Sequence, residues 1–148
     1  MKLLEIQEKV AAALSAVEAL AGIPVVVEDK GGVIARLNAA IGQATRCLLV
    51  QTPGFKPTST ASKVMVGVAT VVVVAMQNIA TTARGTAQDA AEIAAWELNM
   101  LPLDGVGVLV VKEISSALLD ERTISYAVRL EVQTTLCDPL DNGKEEAV

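Results

Sequence analysis

The chain of 148 residues is long enough to form one domain with a sizeable core, and 52% of its residues are hydrophobic although only three are aromatic. A formal net charge of −5, without a cluster of lysine or arginine, argues against tight nucleic-acid binding. Histidine is absent, and Cys47 and Cys137 do not form a Cys-x-x-Cys pair, so the sequence offers neither a Cys/His zinc site nor a cysteine–histidine nucleophile.

The first predicted element is an amphipathic helix over residues 2–21, where apolar residues recur at spacings of three and four. Gly22 and Pro24 are predicted to end this helix, because neither residue favours its continuation. A short valine-rich strand follows at 23–28, and a glycine-containing turn at 29–32 leads out of it.

A second, weaker helix is predicted after the turn, with Ile34, Leu37 and Ile41 on one side and Gly42 at its end. A strand is predicted next, over residues 46–51.

Residues 52–62 are predicted to form a loop, because Pro53, Gly54 and Pro57 disfavour regular structure. The segment 64–77 is predicted to be a long strand. It is apolar at even and odd positions alike, which is typical of a central strand covered on both faces. Small residues at the odd positions would let a helix approach it closely.

The helix expected to make that approach covers residues 87–99. Thr86 is its predicted N-cap, and Asp89 lies three positions later, where its carboxylate can accept a hydrogen bond in return. The helix is rich in alanine, which allows close packing. Pro102 is predicted to stop it.

The C-terminal part is predicted to form a long β-hairpin, with strands at 106–118 and 123–136 joined by a turn at 120–122. Apolar and polar residues alternate along the second strand, which indicates one buried and one solvated face. Residues 1–137 are therefore assigned to a single domain, and the acidic residues 138–148 to a disordered tail.

The length of the last predicted strand is unusual. Fourteen extended residues span about 46 Å, whereas a compact chain of this size is only about 38 Å across. Such a strand must either bend sharply or reach past its own domain toward another chain. This geometry indicates assembly.

The predicted fold class is α+β, because runs of neighbouring long strands alternate with helices. Neighbouring long strands are joined by a loop or a tight turn, so they should pair antiparallel. We expect an antiparallel sheet of about four main strands, with the helices packed on one face and a long C-terminal hairpin.

Some side chains are better explained by a partner than by the core. Leucines at a hairpin turn favour contact with another chain, and the lone tryptophan is either a core anchor or an interface anchor. Charged residues on the polar face of the last strand are either solvated or paired with each other or across subunits. The interface candidates are Leu118, Leu119, Glu121, Arg122, Arg129, Glu131 and Trp96.

No pattern in the sequence predicts catalysis, a cofactor or a metal. Glu92 and Glu97 are on one predicted helix, but a spacing of five places them on different faces, so a solvated surface is favoured over an acid–base pair. The serines lack a histidine partner and a Gly-x-Ser-x-Gly motif. We expect that the protein is not an enzyme.

The sequence also predicts no contact with a membrane. Its most hydrophobic run, 64–76, is shorter than the ~20 residues that a spanning helix needs, and it is rich in β-branched valine. Glu5, Glu8 and Lys9 interrupt what would be the apolar part of a signal peptide. A soluble, cytosolic product is expected.

The order of elements resembles the tail-terminator and tail-completion proteins of long-tailed bacteriophages over residues 2–136. An N-terminal helix and a glycine-containing turn precede the segment 47–50 (CLLV) and the proline-containing segment 51–57 (QTPGFKP). A hydrophobic strand, the helix region 86–101 and a hairpin whose last strand contains 125–130 (SYAVRL) follow in the same order. The resemblance is one of element order and hydrophobicity.

The resemblance implies a structural virion subunit without catalytic residues or cofactor. Proteins of this kind are small α+β subunits that close into rings, often hexameric, at the head-proximal end of the tail. The implied partners are further copies of this chain, the tail tube protein and head–tail connector proteins. The implied location is the virion tail, assembled in the host cytoplasm, where an acidic lumen would let DNA pass without adhering.

A second hypothesis from another class is a small α+β ligand-binding or regulatory module that acts as a dimer. The two differ in the number of subunits, since a ring of about six copies supports the first and a dimer supports the second.

Overall fold

The computed structural model describes residues 2–28, 31–44, 46–61, 63–78, 86–116 and 123–137. The predicted turn at 120–122 and the acidic tail at 138–148 lie outside the described residues.

Within the described residues, six strands form one sheet in the order β1-β2-β3-β6-β5-β4. Their bounds are Val25–Val27 (β1), Arg46–Ala61 (β2), Val64–Asn78 (β3), Pro102–Leu103 (β4), Gly107–Ser116 (β5) and Thr123–Cys137 (β6). The four long strands pair antiparallel, as predicted, whereas β1 pairs parallel with β2. The predicted count of about four strands was therefore too low, because two short strands extend the sheet at its edges.

In the part of the chain that the structure describes, three helices pack on this sheet: α1 is Leu3–Ser15, α2 is Val33–Ala44 and α3 is Ala87–Leu98. The predicted helix 2–21 was too long. Val17 has an extended backbone, and a short 3-10 turn at Glu18–Leu20 follows it. This break turns the chain so that Leu20 and Ile23 are buried in the same core as α1.

The main core lies between one face of the sheet and the helices α1 and α3. From α1, Ile6, Val10 and Leu14 are fully buried in it. From the sheet, alternate residues of the long strands contribute, among them Val71 of β3 and Leu130 of β6. All five alanines of α3 are buried, so the predicted close approach of this helix to the sheet is confirmed.

Helix α2 packs on the opposite face of the sheet, which corrects the prediction that all helices cover one face. Its Leu37, Ala40 and Ile41 contact a second, smaller core that includes Cys47 and Met76. This arrangement follows from the composition of β3, which is apolar on both faces and therefore needs a cover on both.

The buried side of α2 also differs from the predicted one. Val33, Leu37, Ala40 and Ile41 face the sheet, whereas Ile34 is 72% exposed. The helix continues through Gly42 to Ala44. The sequence could not fix this side, because a short apolar stripe is consistent with more than one rotation of the helix about its axis.

Residues 52–61 belong to β2, so the predicted loop was wrong. Two register shifts, at Gln51/Gly54 and Pro57/Ser59, accommodate the prolines in an otherwise paired strand. Beyond Val50 this strand has no neighbour on its outer side among the described residues. Proline is tolerated at such an edge and at bulges, because its missing N–H is not needed there.

Strand β6 lies in the interior of the sheet and pairs with β3 from Thr123 to Cys137. Its predicted length is confirmed, but β3 has the same length and β2 is one residue longer. The long strand is therefore matched by strands of its own subunit and does not reach past them.

The N-terminus of α3 is held by local and long-range hydrogen bonds. The predicted capping box is confirmed: the Thr86 hydroxyl accepts from the Asp89 N–H at 3.1 Å, and the Thr86 N–H donates to the Asp89 carboxylate at 3.2 Å. The Ala87 N–H donates to the Gln77 side-chain carbonyl at 2.8 Å, and this bond is buried. Gln77 thus connects the end of β3 to the start of α3.

Replacing Gln77 by leucine is expected to lower the free energy of unfolding by about 1–3 kcal/mol, because the buried Ala87 N–H would lose its acceptor. The matched control is Gln77→Glu, which keeps an acceptor oxygen next to a helix N-terminus and should cost less. Urea denaturation followed by circular dichroism measures both. Equal losses for the two variants would contradict the assigned role of this hydrogen bond.

Candidate functional site

The part of the chain described here does not bring chemically reactive groups together. No group of three or more Cys, Asp or Glu side chains in it could hold a metal ion. Burial raises the pKa of the Cys47 thiol to about 11, because removal from water disfavours the thiolate. Glu92 and Glu97 are both exposed on α3.

Among the helices of the described residues, none is both long enough and apolar enough to cross a membrane. Those residues do present two surfaces whose composition is unusual for contact with water. One is the outer side of α3, and the other is the end of the β2–β3 hairpin.

Trp96 marks the first surface. Its side chain is 82% exposed on the outer side of α3, so it is not a core anchor. Beside it, Ala95, Asn99, Val111 and Ile114 line an open groove of about 210 Å³ between α3 and β5. A large exposed aromatic ring next to an apolar groove is typical of an interface anchor.

The same surface is acidic. Helix α3 carries three carboxylates and no lysine or arginine. Asp89, Glu92 and Glu97 line a second groove together with Trp96, and among the described residues that line it Arg46 is the one basic residue. We call the residues Asp89, Glu92, Ile93, Trp96, Glu97 and Ile114 the α3 face.

The edge of the sheet beside the α3 face is only partly covered. The Met100 N–H donates to the Leu109 carbonyl at 2.8 Å, and the Val111 N–H donates to the Asn99 side-chain carbonyl at 3.0 Å. Within the described residues, the rest of β5, 112–116, has a neighbouring strand on one side only. An open edge of this kind is available to another chain.

The second surface is the end of the β2–β3 hairpin, residues 56–61 and 63–66, which we call the hairpin end. Met65 is 40% exposed and Val66 is 45% exposed, although they point to opposite faces of the sheet. Lys56 and Lys63 are exposed there as well. Within the described residues, both faces of the sheet are thus only partly covered at this end.

Sequence reasoning missed the hairpin end because residues 52–62 were predicted to be a loop. A charge signal was nevertheless present. Between Asp29 and Asp89 the sequence contains six basic residues and no acidic one, although the whole chain is acidic. The hairpin end lies in this basic block.

The remaining interface candidates are on other parts of the chain. Arg129 lies 3.7 Å from Glu113 on the neighbouring strand β5, so its ion pair lies within the subunit and does not use Glu131. Both partners are about half exposed, and such a pair contributes about 0–1 kcal/mol. Leu118, Leu119, Glu121 and Arg122 lie outside the described residues.

Comparison with known proteins identifies a shared fold. No protein-family model and no curated protein matches the sequence. Among solved structures, a chain in the virion of a native gene transfer agent particle is similar, with a TM-score of 0.65 and 17% sequence identity. The alignment covers 88% of this chain and 94% of that chain, so the fold is shared over nearly the whole of both.

Proposed function

We infer from the fold shared with a gene transfer agent virion chain that this protein is a structural subunit of a phage tail or of a phage-like particle. Within such a particle, we assign it to an oligomeric ring that closes the head-proximal end of the tail tube. Its partners are then further copies of itself, the tail tube protein and the head–tail connector proteins, and its location is the virion tail.

The shared fold is the observation that carries this proposal, because the alignment spans nearly all of both chains. The element order of the tail-terminator proteins supports the finer assignment to the end of the tube. The two surfaces support assembly, since an exposed tryptophan on one side and an exposed apolar hairpin end on another are costly to leave in water.

The proposed role also accounts for the arrangement of the surfaces. A ring needs two different patches on each subunit, because identical copies joined head-to-tail close a ring when the rotation per subunit closes. The α3 face and the hairpin end are two such patches. A two-fold dimer would instead need one patch that fits itself.

Inactivating the gene in the phage or prophage that encodes it tests the proposed role. Without a terminating ring, tail tubes should grow past their normal length and fail to join heads, and both defects should be visible by negative-stain electron microscopy of induced lysates. Supplying the wild-type chain from a plasmid should restore tails of uniform length. Tails of normal length on intact particles after inactivation would refute the terminator role.

The mass of the purified protein separates the two hypotheses. Light scattering should give about six times the subunit mass of 15.4 kDa, either alone or after capping of purified tail tubes. A stable dimer that does not bind tail tubes would instead support the second hypothesis, a ligand-binding or regulatory module.

A further inference from the structure

We propose that the open edge of β5, residues 112–116, receives an extended segment of another protein, which pairs with it as an added strand and places an apolar and a basic side chain beside α3. This inference rests on the proposed virion role, and it specifies how one of the other tail proteins would bind. The chemistry of that segment follows from three features of the edge: its outward backbone groups, the groove beside Trp96, and the carboxylate of Glu92.

The outward backbone groups are the first feature. Both the N–H and the carbonyl of Leu109 point outward, because they bond to the segment that links α3 to β4. Outward residues alternate along an antiparallel strand, and β6 carries this alternation past the register shift after Val111 to the partners of Ile114 and Ser116. All of 112–116 is exposed, so the outward groups of Ile114 and Ser116 can pair with an added strand.

The groove beside Trp96 is the second feature. Ile114 is in the same row of the sheet as Val128 and Val73, whose side chains are buried in the main core, so its side chain points to the α3 side. There it lines the groove together with Trp96, and both side chains are exposed. A strand added beside Ile114 would place one side chain of the same row in this groove. An apolar side chain at that position would remove both residues from water.

The carboxylate of Glu92 is the third feature. Glu92, Trp96 and Asn99 are spaced by four and three residues, so they form one stripe along this groove. Asn99 bonds to Val111 near the start of β5. Trp96 lies beside Ile114 further along, so α3 runs antiparallel to β5 and Glu92 lies toward the end of that strand.

The spacing of the stripe matches the spacing of a strand. Trp96 and Glu92 are about 6 Å apart along the helix axis, and two residues of an extended chain span about 7 Å. A lysine or arginine two residues from the apolar position would therefore lie next to Glu92. Opposite charges at this point favour a basic segment over an acidic one.

The occupant is another protein because the segments of this chain do not fit. The segment 138–148 has four acidic side chains and one lysine, so the acidic helix α3 would repel it. The outer edge of β2 contains Pro53 and Pro57, which lack the N–H groups that pairing needs. Pairing of β5 with β5 of a second copy would bring two acidic α3 helices together about a two-fold axis.

The proposed contact leaves the other side of α3 to a neighbouring subunit. Trp96 lies between two grooves, and the second groove, of about 630 Å³, is lined by Asp89, Ile93 and Glu97 on the far side of the helix. An added strand at β5 does not occupy that second groove. Ring contacts and strand addition are therefore compatible on one subunit.

Two synthetic peptides test the contact on the full chain. The first is Thr-Val-Thr-Lys-Thr-Val-Thr, which presents valine and lysine on one face, and the second has glutamate in place of lysine. We expect the lysine peptide to shift the emission of Trp96, the sole tryptophan, to the blue and to slow hydrogen exchange in 112–116. It should bind at least about tenfold more tightly than the glutamate peptide. Equal binding of the two peptides, or no binding of the lysine peptide, would overturn the inference.

Glu92→Lys tests the charge of the segment. This variant should prefer the glutamate peptide, because the groove then ends in a positive charge. The matched control is Glu97→Lys, which makes the same change on the same helix but faces the second groove. The control should keep the preference for the lysine peptide. An unchanged preference in Glu92→Lys would show that the segment is not selected by its basic residue.

Ser116→Pro tests strand addition. It removes an outward N–H without removing a bond to β6, so the sheet should stay folded while peptide binding weakens at least about tenfold. Ser116→Ala keeps the N–H and should bind as wild type does. Circular dichroism checks folding; if Ser116→Pro does not fold, Trp96→Ala replaces it, with hydrogen exchange as the readout and the same expected loss. Wild-type binding by the folded variant would contradict the contact.

Cross-linking in assembled particles separates this inference from the proposed function. Replacement of Ile114 by the photoreactive residue p-benzoylphenylalanine should yield a cross-link to an extended segment of another tail protein that carries lysine or arginine, read by mass spectrometry. A cross-link to 138–148, or to β5 of a second copy, would overturn this inference without refuting the virion role. Tails of normal length after gene inactivation would refute the terminator role even if both peptides behave as expected.

Discussion

The Leu130→Asp variant is expected to be unfolded at neutral pH. Leu130 is 0% exposed and lies in β6 between Val71 of β3 and Val111 of β5. An aspartate there would bury a carboxylate among aliphatic side chains with no basic partner, which costs several kcal/mol. A domain of this size is stable by only about 5–15 kcal/mol, so the loss removes most or all of its stability.

Circular dichroism with thermal denaturation checks this expectation. The matched control is Gln133→Asp, because Gln133 is exposed on the opposite face of the same strand and should tolerate a carboxylate. Leu130→Ala removes volume without adding charge and should lower the free energy of unfolding by about 2–5 kcal/mol. This loss should lie between those of Gln133→Asp and Leu130→Asp. A cooperative melt of Leu130→Asp near the wild-type temperature would mean that β6 is not the central strand of the core.

The Gly67→Ala substitution is expected to move the two strands of the hairpin end apart. A Cβ atom at position 67 would collide with the Lys56 carbonyl oxygen and would lie 2.7 Å from the Cα of Pro57. Both are backbone atoms of the paired strand, so relief requires the strands to move apart. Overpacking of this kind costs about 1–3 kcal/mol, and here it also breaks pairing next to a bulge.

Hydrogen exchange measured by mass spectrometry resolves this effect by segment. Residues 56–66 of Gly67→Ala should exchange faster than in wild type, and the melting temperature should fall. Gly54→Ala is the control in the same hairpin, since a Cβ there meets nothing within 4 Å. Equal exchange in the two variants would show that the strands do not approach as closely at Gly67 as described.

Local patterns determined several elements from the sequence alone. The capping box at Thr86 and Asp89 fixed the start of α3, because both hydrogen bonds join residues three apart. The alternation from 123 to 136 predicted β6 to within one residue. The valine-rich segment 64–77 likewise predicted β3, since its β-branched residues and small odd-position residues favour a central strand under a helix.

Other features depend on contacts that no local pattern encodes. Pro53 and Pro57 predict a loop, but at the edge of the sheet their missing N–H groups are not needed, and they lie in β2. Ile34 and Trp96 are apolar residues that sequence alone could place in a core, and the packing of α2 and α3 leaves both exposed. In each case the location of the residue in the folded chain, at a sheet edge or on the outer side of a helix, decided whether it is paired or exposed.

The sequence by itself determined the α+β class, the long antiparallel strands and the absence of a histidine-based site, because these follow from residue type and from spacing along the chain. Only the tertiary structure decided that α2 lies on the opposite face, that β6 is matched by β3, and that Trp96 and the hairpin end are uncovered. The physical reason is that burial is a property of the assembled layers, and residues far apart in sequence supply those layers.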